Sequence, residues 1–257
     1  MKKLIALTAL SAFAFGSAAQ ASDIYISGSV GLTDQSSSAN QGETGAFTTG
    51  NLGDGNTLDV AAGTAYGWDT EFDGGSVFAI ELGKKLDNGF RFGLEGLRSK
   101  ADVDTHTGVT LGGGAIGSLD AASIASSPDP LGVTVAQVVA DGQGDISQTA
   151  LFANVYYDFN KNGALQPYLG AGIGISDVEV DYRPSSIQVI DDSETKFAYQ
   201  GKAGVTIAFD SPLEFFGEVA YRKTSDVETE NVLFPGTLDI ENEQTSFSAG
   251  LRYKFGG

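Results

Sequence analysis

Apolar and polar side chains alternate with a period of two along eight segments of this chain. The segments cover 24–32, 78–83, 90–95, 151–159, 167–176, 197–209, 213–222 and 246–255. In each of them one face is apolar and the other is small, polar or charged. Such alternation over roughly ten residues is typical of β-strands that separate an apolar environment from a polar one. The pattern therefore predicts an all-β protein with eight antiparallel strands.

The connections between these segments alternate in length. Three are tight turns at 86–89, 160–163 and 210–212, and the others run over about 40, 45, 20 and 20 residues. Short turns at one end and long loops at the other are typical of barrels in the bacterial outer membrane. We therefore expect an up-and-down transmembrane β-barrel with four long external loops. Residues 107–140 form either a surface hairpin or a short helix, or else two further strands, which makes ten strands the alternative.

The face opposite the apolar one carries charge in the middle of the strands, which a barrel lumen tolerates if the charges pair. We assign eight side chains to this lumen charge network: Glu81, Arg91, Glu95, Lys202, Glu214, Glu218, Arg222 and Arg252. With Asp158 and Lys254 the inward acids and bases balance, five against five. We favour a structural salt-bridge network, because unpaired buried charge is costly. A narrow gated path for protons and small ions is the alternative.

Aromatic residues cluster at both ends of the apolar face, as expected of side chains at the two membrane–water interfaces. The predicted aromatic girdle consists of Phe90, Tyr157, Phe159, Phe209, Phe215, Tyr221 and Tyr253. We therefore expect the apolar face to contact outer-membrane lipid, with the loops lying next to lipopolysaccharide.

The first 21 residues have the character of a secretory leader. A basic start at Met1-Lys2-Lys3 precedes an apolar stretch at 4–15, and Ala19-Gln20-Ala21 supplies the small residues of a cleavage site. We predict a signal peptide over 1–21 and an outer-membrane barrel over 22–257. Past residue 21 no apolar run is long enough for a transmembrane helix.

Composition excludes several classes of function. The 257 residues include no cysteine and one histidine, which excludes disulfides, a cysteine nucleophile and thiolate or multi-histidine metal centres. The net charge of −18 becomes about −20 without Lys2 and Lys3, and such acidity argues against binding nucleic acid.

Most of the acidic residues lie in the long connections. They number 25 of 33 and fall in 33–73, 100–147, 177–195 and 223–243. Clustered carboxylates suit Ca²⁺ or Mg²⁺, but no EF-hand or Gly-Asp repeat spacing is present. We therefore favour solvated, mutually repelling, mobile loops with diffuse cation binding, and we predict neither a defined metal site nor a cofactor.

Two side chains in the long connections are candidates for chemistry. His106 lies in the second connection, but catalysis would need a nucleophile and an orienting acid beside it. Nothing in the sequence distinguishes this histidine, so we predict that the protein is not an enzyme. Trp68, with Tyr66 and Phe72, precedes the second strand. We expect Trp68 to be an anchor of the outer girdle rather than a platform for a ligand.

Three glycines alternate along the fifth segment at Gly170, Gly172 and Gly174. A phosphate-binding loop would need a following helix and a lysine, and the sequence has neither at this place. We expect small lumen residues that make room for a bulky neighbour such as Tyr168 or Phe152.

Several segments resemble a known family. They are 153–159, 167–174, 91–95, 197–201 and 219–222. In this order they resemble the small outer-membrane barrels of the OmpA/OmpX-like superfamily, most of all the opacity-type and major-surface-antigen porin-like proteins. The resemblance covers nearly the whole mature chain, the strands well and the long loops hardly at all. It implies a monomeric eight-stranded barrel with variable surface loops.

The family also implies a C-terminal insertion signal and a function. Tyr253 and Phe255 match the final aromatic residues that the barrel assembly machinery reads, although Gly256 and Gly257 follow here. Family members are mostly structural proteins, adhesins or surface antigens. We therefore expect a role in envelope integrity and in contacts with a host or cell-surface ligand through the acidic loops. A narrow porin-like channel for small solutes or ions is the alternative, and a lipid-modifying enzyme that uses His106 is the third.

Overall fold

A computed structural model describes residues 24–255, so the predicted signal peptide over 1–21 and the final Gly256 and Gly257 lie outside the described residues. The strands are β1 (Ile24–Gln35), β2 (Ser38–Thr44), β3 (Phe47–Thr48), β4 (Asp59–Val60), β5 (Ala65–Phe72), β6 (Gly75–Lys85), β7 (Phe90–Leu111), β8 (Gly114–Ala115), β9 (Gly144–Asp158), β10 (Leu165–Tyr182), β11 (Ile190–Ala208), β12 (Leu213–Glu230) and β13 (Gly236–Lys254). The helices are α1 (Val135–Val139) and 3₁₀ turns at Ala121–Ser123 and Pro184–Ser186. In the described part of the chain no helix is long and apolar enough to cross a membrane.

Eight strands close into a barrel in the order β1, β6, β7, β9, β10, β11, β12 and β13. Neighbours are antiparallel, and β13 pairs back onto β1, where Val30 lies opposite Ala249. Closure satisfies the backbone of every strand inside a lipid environment, which an open sheet would not do. The predicted eight-stranded antiparallel barrel is confirmed. The ten-stranded alternative is wrong, because 112–143 forms the short strand β8, a 3₁₀ turn and α1 outside the ring.

Five of the strands are much longer than a membrane crossing requires. They contain 18 to 22 residues, whereas about 9–11 span the bilayer. Beyond the membrane level, β2 pairs with β13 and β5 pairs with both β2 and β7. These strands carry the sheet outward past the ends of β1 and β6. We call residues 38–72, 101–149, 177–196 and 224–243 the external extension.

Strands replace loops in two of the connections that were expected to be long loops. The tips that join β10 to β11 and β12 to β13 are only 183–189 and 231–235. The expectation of solvated mobile loops is therefore wrong for most of 177–195 and 223–243. Along β10, Val178 and Val180 are fully buried while Glu179 is exposed. The carboxylates face water from strands because the interior of the extension is apolar.

An apolar cluster lies in the interior of the external extension. Its buried members are Tyr66, Ala101, Val103, Ile146, Val178, Val180, Tyr182, Ile190, Val227, Leu238 and Ile240. At the membrane level the arrangement is inverted, with apolar side chains outside and polar ones inside. This inversion follows the surroundings, because the outer face meets lipid at one level and water at the other.

The sheet of the external extension opens between β11 and β12, which pair only as far as Ala198 and Thr224. Beyond that point Asp192 and Glu194 of β11 accept hydrogen bonds from the backbone N–H groups of Glu230 and Glu228, at 3.4 and 3.0 Å. These carboxylates occupy the edge of β12 and so protect it from pairing with another chain.

The glycines of β10 make room for large lumen side chains. A β-carbon at position 170 would lie 2.3 Å from Cδ1 of Tyr156, and one at 174 would lie 2.1 Å from the backbone oxygen of Leu151 and 2.9 Å from Cδ1 of Phe152. The expected role is confirmed for Phe152. Tyr168 occupies the space over Gly204 instead, where a β-carbon would lie 2.4 Å from Cζ.

Candidate functional site

Arg91 lies at the centre of the membrane-level lumen and is 1% exposed. Its guanidinium nitrogens are 3.7 Å from Glu81 Oε1 and 3.4 Å from Asp158 Oδ1. The guanidinium carbon also lies 3.9 Å from the ring centroid of Tyr156 and 4.8 Å from that of Tyr168. The cation therefore has two carboxylates and, with the ring of Tyr25 at 5.6 Å, three aromatic faces around it, which offset part of its lost hydration.

Glu81 receives hydrogen bonds on both of its oxygens. Tyr25 donates to Oε1 at 2.7 Å, while Tyr156 and Asn154 donate to Oε2 at 2.5 and 2.9 Å. A buried carboxylate with this many donors is well satisfied. Sequence reasoning missed the tyrosines as members of the network. Their inward position in the alternation was the available signal.

Lys202 joins two further carboxylates. Its ammonium group forms ion pairs with Glu95 and, at 3.0 Å, with Glu218. Gln200 donates to the second oxygen of Glu95 at 3.0 Å, and Tyr168 donates to Glu218 at 2.9 Å. Lys202, Glu95 and Glu218 thus form a buried triad in which two carboxylates share one ammonium group.

Glu214 forms ion pairs with three cationic side chains near the short turns. Lys85, Arg252 and Lys254 approach its carboxylate to 2.9, 3.2 and 3.2 Å. Lys85 was missing from the predicted network because it lies at the end of its strand, outside the alternating segment. Arg252 also donates to Thr206 Oγ1 at 3.1 Å.

Arg222 departs from the predicted balance of acids and bases. Its guanidinium donates to the side-chain oxygens of Gln200 and Gln244, at 2.9 and 3.0 Å, and among residues 24–255 it forms no ion pair. Both glutamines lie directly opposite Arg222 on the neighbouring strands. The expectation of one acid for each base is therefore wrong at Arg222, where amide oxygens replace the carboxylate.

Little space remains among these charged groups. The cavity between Glu81, Arg91, Glu95, Lys202 and Arg252 holds about 10 Å³, which is roughly the space for one water molecule. The membrane-level lumen is thus packed by its own side chains, as expected for eight strands.

All of the predicted girdle residues have their rings exposed on the outer face of the barrel. Several form edge-on pairs near the short turns. The ring centroids of Phe90 and Tyr157 are 5.2 Å apart, and those of Tyr253 and Phe255 are also 5.2 Å apart. Tyr221 lies farther out, where its hydroxyl donates to Glu243 at 2.7 Å. Amphipathic rings at these two levels are suited to the two interfaces of a bilayer.

A second candidate site is a cavity of about 290 Å³ in the external extension. It lies between the loops 45–64 and 112–143, the tips 183–189 and 231–235, and the outer ends of β5, β7 and β10. Its walls are mostly apolar and aromatic. We call it the external pocket.

His106 lines the external pocket, and the prediction that it lies in a loop is wrong. It belongs to β7 and is 3% exposed. Phe72 pairs with Val103 but Glu71 pairs with Thr105, so the extra residue Asp104 forms a bulge that turns His106 inward. Burial lowers the pKa of His106 to about 4.

Trp68 also lines the external pocket, and its predicted role as a girdle anchor is wrong. It packs against the apolar cluster, and its ring centroid lies 6.1 Å from that of Tyr66 and 6.3 Å from that of His106. Its strand, β5, pairs with β2 and with the outer part of β7. Trp68 therefore faces the interior of the extension and not the lipid.

Asp120 organises the loop 112–143, which covers one side of the external pocket. Its carboxylate accepts hydrogen bonds from the backbone N–H groups of Ala122, Leu131 and Gly132 at 2.9, 2.8 and 2.9 Å. These donors stabilise the charged form and hold the pKa of Asp120 below its usual value.

We expect Asp120→Ala to loosen this loop, because three backbone donors lose their acceptor at once. Hydrogen exchange should become several-fold faster at Leu131 and Gly132. Asp129→Ala in the same loop is the control, since Asp129 is exposed and its carboxylate holds no backbone group. Equal exchange in the two variants would contradict an anchoring role for Asp120.

The acidic residues do not converge on a metal centre. Within 24–255, no group of three or more histidine, aspartate or glutamate side chains is arranged to hold a metal ion. Six exposed carboxylates on the outer face of the external extension form what we call the acidic collar: Glu179, Asp191, Glu228, Glu230, Asp239 and Glu241.

Comparison with known proteins agrees with this architecture. A family model described as outer membrane protein beta-barrel domain matches residues 5–255. Among solved structures, the outer membrane protein OprG from Pseudomonas aeruginosa is similar with a TM-score of 0.58 and 15% identity, over 92% of this chain and 97% of that one. Neisserial surface protein A has a TM-score of 0.45 and 14% identity, over 90% and 97%. A search of curated protein sequences finds no match.

Proposed function

This chain belongs to the outer membrane protein β-barrel family, and from that premise we propose that it is a structural and surface-interaction barrel without a solute channel. Family membership places it in the bacterial outer membrane. The proposal concerns what the barrel does there, and it rests on how the interior is filled.

The observation that carries the proposal is closure of the interior at two successive levels. At the membrane level the paired charges around Arg91 and Lys202 leave about 10 Å³. Farther out, the apolar cluster around Val180 and Ile240 occupies the interior of the extension beside the external pocket. A hydrated ion would have to separate buried ion pairs and then cross an apolar core, and both steps are costly.

The external extension supports a role in surface contacts. Because its strands continue the membrane barrel, the acidic collar stands at fixed positions above the lipid rather than on loose loops. We propose that the collar meets lipopolysaccharide through bridging divalent cations, and that cationic groups of a host or neighbouring cell are its other partners. Since β1 and β13 close the membrane barrel, we propose that the protein acts as a monomer.

Catalysis is not part of the proposal. His106 Nδ1 lies 2.8 Å from Thr70 Oγ1, but Thr70 is fully buried. Its hydroxyl oxygen also accepts a hydrogen bond from Asn40 at 2.7 Å. Thr70 also does not line the external pocket, so a molecule bound there does not meet this hydroxyl.

Conductance measurements in planar bilayers test the proposal. We expect no discrete steps from the folded protein, with a known porin inserted into the same bilayers as the positive control. A shift in gel mobility on boiling verifies that the added protein is folded. Uniform steps that change in size with Lys202→Met would overturn the proposal in favour of a narrow channel.

A further inference from the structure

The external pocket has a continuous aromatic wall. The ring centroid of Phe234 lies 4.9 Å from that of Phe47 and 5.1 Å from that of Tyr66. The ring centroids of Tyr66 and Trp68 are 6.1 Å apart. The ring centroid of His106 lies 6.3 Å from that of Trp68 and 4.9 Å from that of Tyr182. All six rings line the cavity of about 290 Å³. Pockets for small ligands are concave and mostly apolar and begin at about this size.

Four buried polar atoms in this wall lack a partner among the described residues, namely the hydroxyl groups of Tyr66 and Tyr182 and one ring nitrogen each of Trp68 and His106. Within residues 24–255, neither Trp68 Nε1 nor His106 Nε2 has a hydrogen-bond partner. Thr70 Oγ1 accepts from Asn40 at 2.7 Å, and we assign its own proton to the contact with His106 Nδ1 at 2.8 Å. A neutral imidazole bonded in this way carries its hydrogen on Nε2. The apolar pocket therefore presents two N–H groups that need an acceptor.

The charge of the surroundings restricts the ligand further. Asp59 is the one charged side chain among the described residues that line the pocket. With the acidic collar outside, this carboxylate disfavours an anion. A cationic group would leave the N–H groups of Trp68 and His106 without an acceptor, although the hydroxyls of Tyr66 and Tyr182 could accept from it. The complementary ligand is therefore uncharged and carries an acceptor oxygen.

We propose that the external pocket binds an uncharged lipophilic molecule with an acceptor oxygen, of the class of fatty acyl esters. Its apolar part lies along the aromatic wall, and its oxygen accepts from His106 Nε2 and Trp68 Nε1. This binding is independent of the proposed function, because the pocket lies in the external extension and needs no path through the membrane-level lumen.

Trp68 is the single tryptophan of the chain, so its fluorescence reports on the pocket directly. The protein in phospholipid nanodiscs is titrated at pH 7.5 with methyl decanoate, decane and decanoate. We expect a saturable change in emission with the ester at about tenfold lower concentration than with decane, because decane makes no hydrogen bond. Decanoate should bind more weakly than the ester. No saturable change, or decanoate binding as tightly as the ester, would overturn the proposal.

Three variants separate binding in the pocket from partition into lipid. Val109→Phe fills part of the pocket and should weaken ester binding at least about tenfold. Val205→Phe makes the same change on the lipid-facing surface and should have no effect. His106→Phe keeps a ring but removes the N–H, so ester binding should fall toward that of decane while decane binding stays the same. An unaltered ester response in both Val109→Phe and His106→Phe contradicts the proposed site.

Discussion

Replacing Lys202 by methionine is expected to lower the free energy of unfolding by about 3–5 kcal/mol. The ammonium group is the shared partner of Glu95 and Glu218 in the closed lumen. Methionine keeps the length of the side chain but leaves two buried carboxylates without a counter-charge. The urea midpoint of the folded gel band in lipid vesicles measures the loss.

Lys100→Met is the matched control for this prediction. Lys100 also bridges two carboxylates, Asp102 at 3.4 Å and Asp145 at 3.1 Å, but its side chain is 51% exposed. Exposed pairs of this kind contribute at most about 1 kcal/mol, because water already solvates the charges. If Lys202→Met lowers the free energy of unfolding no more than Lys100→Met does, the buried triad does not stabilise the lumen.

The second large effect is expected on acidification, which should destabilise the external extension by about 3 kcal/mol through His106. The pKa of His106 falls from 6.5 to about 4 in the folded protein because burial penalises the imidazolium. Between these values the unfolded state binds more protons than the folded one. The contribution of neutral His106 to the stability of the external extension is therefore fully present above pH 6.5, and it is lost progressively as the pH falls toward 4.

The groups around His106 oppose this loss only weakly. Asp141 is the charged neighbour, and it favours the proton less than burial disfavours it. Burial raises the pKa of Tyr66 to about 12 and also raises that of Tyr182, so both phenols stay neutral throughout the acid range.

Hydrogen exchange of the segment 101–111, corrected for its intrinsic pH dependence, measures the effect. Protection should fall between pH 7 and pH 4 in the wild type, while the strands at the membrane level keep theirs. His106→Phe is expected to remove most of the pH dependence. Equal acid sensitivity in that variant would assign the effect to the carboxylates of the collar instead.

The sequence specifies the membrane barrel because each strand has lipid on one side and a packed lumen on the other. In β10 this places Leu169 and Ile173 outside and Tyr168 inside, and the same parity holds along the strand. A property that repeats every two residues can be read without knowing which strands are neighbours. The strand number, the outward aromatic rings and the inward charges follow from it.

The strands of the external extension also show alternating apolar and polar side chains, but the length of the connections led to a prediction of loops. At Asp177 the apolar positions of β10 move from odd to even numbers, so that Val178 and Val180 point inward and Glu179 points into water. The strand does not change phase there. The medium outside the strand changes there from lipid to water, so the apolar side chains move to the inner face. The alternation thus continues in inverted form where the length of the connection had predicted a loop.

By itself, the sequence determined an eight-stranded barrel with a charged lumen and an acidic outer end. Only the tertiary structure decided that Arg222 meets amides, that one extra residue at Asp104 turns His106 inward, and that Trp68 joins it in an apolar pocket. The alternation of side chains records the medium on each side of a strand. Which inward groups meet depends on the register between strands far apart in the chain, and a local pattern does not encode that register.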